Sequence, residues 1–324
     1  MAAPIRIRLA IRVTSFLVLA SLACVTRAAP QEPEAAIDEI VVNGERTGPG
    51  LWHVHGPTGD TWILGTVSPL PRGITWRSAQ VEQILGGANL VLVSKPFEIG
   101  IIHELWLFIT QRDLLMVPGG RSLRDVMAPD LYARFARLRS LYSSDPDKWS
   151  RYRPIIATAF LEQAALHQVG LSARLNVGNE VRTLARKHDV RVEEIKIAGV
   201  GDFLEALKTM SPDTENKCVG AALGTIETGL PRLVSRAAAW VTGDIPRIQS
   251  LPESAEVDAC LAALDGDTHA ADLLARIRST WVGAIEQHLR RGEVTLAVVN
   301  MDLLLQPGGL LERLRNDGYL VDAP

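Results

Sequence analysis

The sequence predicts an α/β fold: a central mixed sheet built from N- and C-terminal segments, with a largely helical middle region, about residues 100–290, as a cap. Three observations predict it. "LWHVHGPTGDTWILGTV" (51–67) places two short apolar-rich runs around a Gly- and Asp-bearing turn, which is a β-hairpin signal. "NLVLVS" (89–94) and "VTLAVVN" (294–300) are continuous apolar runs, as expected of strands covered on both faces. Most of the chain between them has helical spacing.

The first 29 residues stand apart from this fold. Arg6, Arg8 and Arg12 precede the apolar stretch "VTSFLVLASLACV" (13–25), and small residues follow to Ala28. This is the pattern of a cleavable export signal, and the apolar stretch is short for a membrane span. Cys24 raises lipidation as an alternative, although Ser21 stands where such a site wants an aliphatic residue. Cleavage would remove Arg6, Arg8, Arg12 and Arg27 and move the net charge from −3 to about −7. No basic stripe for nucleic acid is left, and no later apolar run is long enough to span a bilayer. Residues 30–49 are rich in Pro and acid and read as a flexible linker. Within it "DEIVVNGER" (38–46) resembles the energy-coupling box of outer-membrane receptors, which would make it a strand-addition segment for a partner; it also reads as an unstructured tail.

A single domain is expected over 50–324. After the hairpin, "WRSAQVEQILGGA" (76–88) reads as a helix ended by a Gly pair, so hairpin strand, helix and "NLVLVS" suggest a βαβ unit. Helices are expected over 101–115, 128–142, 153–170 and 178–189, then a short strand over "VRVEEI" (190–195). Further helices fall at about 200–209, 213–240, 253–265 and 270–291, with "TGD" (242–244) as a break and Asp244 as the cap of "IPRIQ". After the strand 294–300, "GGLLERLRNDG" (308–318) is a helix and "YLVD" (319–322) a last strand. Trp76, Trp106, Trp149, Trp240 and Trp281 lie on or beside helical stretches and read as packing anchors. Cys218 and Cys260 remain after signal cleavage, an even pair that in an oxidising compartment is a disulfide candidate; two unpaired buried cysteines are the other reading.

The two ends resemble the TraB/GumN/Tiki family. The resemblance rests on "LWHV...TWILGTVSPLPRGITWRSAQVEQILGGANLVLVS" (51–94), "AWVTGD" (239–244) and "TLAVVNMDLLLQPGGLLERLRNDGYLV" (295–321). It implies hydrolytic chemistry, since the Tiki branch is described as metal-dependent proteases using two G-x-x-H motifs and a Glu. Imidazole and carboxylate hold a divalent ion, and the ion lowers the pKa of bound water towards ~7. This sequence departs at each such place. Ser68 stands at the first His position, Ser94 at the carboxylate position, and "VVNMDLLL" offers Asn300, Met301 and Asp302, with Leu303 at the second His position. His288 is the last His of the chain, so no shift of alignment restores it. A serine hydroxyl, neutral at pH 7, is a poor ligand for a first-row metal.

Other chemistry is weighed on the same residues. Ser68 as a nucleophile would need a base from His53, His55 or His103; it lacks the G-x-S-x-G elbow, and Pro69 removes the following N–H. His53 and His55 share one face of a strand, a spacing that can bind metal but here shows no third partner. Ser68, Ser94, Asn300 and Asp302 can line a polar cleft for a neutral ligand, with Asp302 as a helix cap in the other reading. The expectation is an exported, periplasmic member of the family that has lost its catalytic residues. It would bind a peptide or envelope component without a cofactor or metal. The alternative is a divergent hydrolase acting through Asp302 and Ser68, or through His53 and His55.

Overall fold

The computed structural model describes residues 48–95, 110–173, 175, 177–196, 200–251, 255–266 and 268–324. The export signal expected over 1–29, nearly all of the linker, the 38–46 segment, His103, Trp106 and most of the helix expected over 101–115 lie outside the described residues.

The expected hairpin is β1 (Leu51–His55) and β2 (Asp60–Thr66), paired antiparallel with Leu51 opposite Leu64 and His55 opposite Asp60. A two-residue β3 (Leu70–Pro71) follows a cis Ser68–Pro69 bond and pairs with β5 (Leu171–Ser172). The main sheet adds β4 (Leu90–Ser94), β6 (Arg191–Ile195), β7 (Val294–Asn300) and β8 (Leu320–Asp322) in the order β6-β4-β7-β2-β1-β8. β6, β4, β7 and β2 run parallel, and β1 is antiparallel to both β2 and β8, so the sheet is mixed. The N-terminal βαβ unit is not a pair of neighbours: β7, some two hundred residues later, sits between β2 and β4. β4 and β7 bury consecutive residues, Leu90–Val93 and Thr295–Val299, because both of their faces are covered. β1 buries Leu51, Trp52 and Val54, and leaves His53 and His55 half-buried on the face opposite Trp52 and Val54.

The middle of the chain is helical. Helices Pro129–Tyr142, Pro154–Gln168 and Pro212–Gly224 each begin with proline in the first turn, where its missing N–H costs nothing. The helix expected over 213–240 is two helices, Pro212–Gly224 and Leu230–Thr242, joined by a π-helical turn, Thr225–Gly229. Pro231 has no N–H for the ladder, and the widening falls just before it. Gly243, at φ 72°, ends the second helix, and Asp244 Oδ1 accepts from Arg247 N at 2.9 Å to start Ile245–Gln249. Helices Pro212–Gly224 and Ala255–Asp265 are tied by the Cys218–Cys260 disulfide. Trp240 and Trp281 are fully buried, while Trp76 and Trp149 pack partly buried against the core. Among the described residues no helix is long and apolar enough to cross a membrane.

Candidate functional site

Parallel strands bring their C-terminal ends to one edge, where open α/β sheets bind ligands. β2 and β7 pair through Thr66 opposite Asn300, and β4 and β7 through Val93 opposite Val298. Ser94 ends β4, and Ser68 lies two residues past β2. Ser68, Ser94 and Asn300 therefore share one cleft of about 200 Å³, together with Thr66, Val177 and Gly178. The other described lining residues are Ala, Leu and Val, so none carries an imidazole or a carboxylate. Val177 and Gly178 open the helix Val177–Lys187, whose first turn faces this end of the sheet.

Asp302 is not brought into the cleft lining. Its carboxylate is exposed and pairs with Arg236 Nη2 at 2.6 Å. Asn300 is the cap instead: its Oδ1 accepts from Asp302 N at 2.7 Å and starts the helix Met301–Leu305. The amide oxygen of Asn300 is thus committed to local structure at the cleft rim.

Two supports behind the cleft escape a motif-based reading. Trp240 Nε1 donates to Gly65 O at 2.7 Å, fixing the end of β2. Gly65 has no room for a side chain, since a Cβ there would meet Trp52 and Met301 at 2.7 and 2.8 Å. Arg182, almost fully buried, donates Nη2 to Ser94 O at 2.5 Å and Nη1 to Asn179 Oδ1 at 2.6 Å. The available signal for Arg182 was its place on the apolar stripe of its helix, beside Gly178, Val181 and Ala185.

His53 and His55 sit at the other end of the hairpin. His55 is opposite Asp60, the first residue of β2, so the His pair is roughly 20 Å of strand from Ser68. Neither can be the base of a Ser68 nucleophile. The third partner that the sequence did not reveal is on β8: Asp322 lies opposite His53, and His55 Nε2 is 2.8 Å from Asp322 Oδ2. Asp60 Oδ1 is 3.2 Å from both His53 Nε2 and His55 Nδ1. The hydrogen bond to Asp322 pushes the His55 pKa up. Burial, with the neighbouring His55 charge second, pushes that of His53 down.

A mixed sheet with a strand-end cleft, closed by a helical insertion between its early and late strands, defines a class of α/β protein whose two terminal segments jointly make the site. The chain belongs to the TraB/PrgY/gumN family, whose sequence profile matches residues 50–323. No curated protein and no solved structure matches it. The divalent ion implied by the Tiki resemblance does not fit this cleft. Among the described residues its donors are hydroxyl and amide groups, which do not replace imidazole and carboxylate around a first-row metal.

Proposed function

We propose that the protein is an exported, catalytically degenerate TraB/PrgY/gumN member whose strand-end cleft binds a peptide or another envelope component through hydrogen bonds. The observation that carries this reading is the cleft's donor set: Ser68, Ser94 and Asn300 converge there with aliphatic neighbours and no acid or base among the described residues. Such a lining recognises uncharged polar groups such as peptide amides. It supplies neither an activated water nor a nucleophile–base pair. The basic-then-apolar pattern of residues 1–29 and the Cys218–Cys260 bridge support export to an oxidising compartment, the periplasm.

The test pairs capture with turnover. Purified protein is incubated with a random-sequence tetrapeptide library, with and without added zinc, cobalt or manganese. Retention of a peptide subset without cleavage, lost in a Ser68→Trp variant that fills the cleft, is the expected result. Cleavage that disappears in Ser68→Ala would overturn the reading in favour of a divergent hydrolase.

A further inference from the structure

We propose that His53, His55 and Asp322 form a binding site for one divalent transition-metal ion, zinc by its donor set, at the end of the sheet opposite the cleft. Strand register assembles the site. β1 lies between β2 and β8 and is antiparallel to both, which sets Trp62 and Asp322 on either side of His53 and Asp60 beside His55. Side chains directly opposite one another share a face, so two imidazoles and two carboxylates gather on one patch. Among the described residues this is the one group of three His, Cys, Asp or Glu side chains whose ligand atoms all lie within 4.8 Å of one another.

The group is held as a metal site would be. The His53 ring stacks on Trp62, with centroids 3.9 Å apart and planes within 6°. Its Nε2 is shielded from solvent and makes no aligned hydrogen bond, although Asp60 Oδ1 is 3.2 Å away. His55 presents Nε2 to Asp322 at 2.8 Å and Nδ1 to Asp60 at 3.2 Å. With the ion on the Nε2 side, Asp60 accepts the Nδ1 proton, the carboxylate–histidine support that fixes tautomer and ring orientation in zinc sites. Two neutral imidazoles and two carboxylates carry a net charge of −2, which one divalent ion balances.

Ligand atoms around tetrahedral zinc lie roughly 3.3 Å apart, given Zn–N near 2.0–2.1 Å. The cluster must tighten by about 1.5 Å at most, and its partners are placed to do so. His55 is on the margin of exposure, with 36% of its side chain accessible, and Asp322 is 58% accessible, so both can rotate. An ion held here bridges β1 to β8, the three-residue edge strand near the chain's C-terminus. Its predicted consequence is a stapled sheet edge, separate from whatever the cleft binds.

The test uses tag-free full chain, stripped with a chelator, dialysed and titrated with zinc chloride. One equivalent is expected to bind and to raise the melting temperature. His55→Gln and Asp322→Asn should each weaken binding at least tenfold and abolish the thermal shift, while circular dichroism shows both variants folded. Ser68→Ala should bind zinc as the parent does. No stoichiometric binding, or binding unchanged in His55→Gln, overturns the inference. Binding lost in Ser68→Ala and kept in His55→Gln would place the ion in the cleft and overturn both this site and the metal-free reading of the cleft.

Discussion

Asp302 and Asn300 show how a residue's role depends on what its neighbours already use. Both were candidates for cleft chemistry, yet Arg236 takes the Asp302 carboxylate and a backbone N–H takes the Asn300 oxygen. Ser68 and Ser94 stay in the cleft lining, and Ser94 is braced from behind by the Arg182 guanidinium on its carbonyl. At the far edge His288 is fully buried, with Nδ1 against Glu293 and Nε2 at 3.5 Å from Glu193. Arg191 completes the group at 3.0 Å from Glu293. The hydrogen bond from His288 holds the Glu293 carboxyl below its ordinary value of 4.5. A carboxyl depressed in the folded state adds stability that is fully present above its unfolded value and fades as pH falls through the folded value. Urea midpoints measured from pH 6 to pH 3 should therefore fall, and the fall below about pH 4.5 should flatten in Glu293→Gln. An unchanged slope would show that the His288 contact contributes nothing to acid sensitivity.

Elements were legible where one local rule decided them. The hairpin, both buried strands, the Asp244 cap and the glycine end of the helix at 242 follow from alternation, apolar runs and cap chemistry. The π turn at 225–229 was not legible, because its cause is a single proline whose effect depends on whether the helix continues past it. The disulfide links two helices that pack on each other, and its cysteines are 42 residues apart. Closing a loop of that length contributes about 3–4 kcal/mol in the chain-entropy model. Cys218→Ser/Cys260→Ser should lower unfolding free energy by about that amount in urea melts, and reductant should affect the parent but not the variant. Equal stability of the two would mean that the unfolded chain gains little freedom when the bridge is removed.

On the scale of the whole molecule, β7 inserted between β2 and β4 is what makes a single cleft from residues 68, 94 and 300. The same arrangement limits what substitutions can do to build a metal centre there. Ser68→His/Ser94→Glu places two donors at the sheet edge, while Leu303, on the helix after β7, offers none. Two donors do not close a zinc site, which takes three protein ligands even when catalytic. The double variant is expected to show no peptide hydrolysis above the parent in a generic peptidase assay with added zinc, cobalt or manganese. Turnover in that variant would mean that another side chain already supplies the third ligand.

Periodicities, turn and cap positions and the family framework at both ends are already readable along the chain, as are the Ser, Ser and Leu at 68, 94 and 303. Those are local properties, set by which side chains stand at which spacing. The folded arrangement was needed to show that β7 divides β2 from β4, that Arg236 pairs with Asp302, and that His53 and His55 meet Asp322. His55 and Asp322 are 267 residues apart, and strand pairing, a long-range outcome of burying the apolar faces, is what places them 2.8 Å from each other.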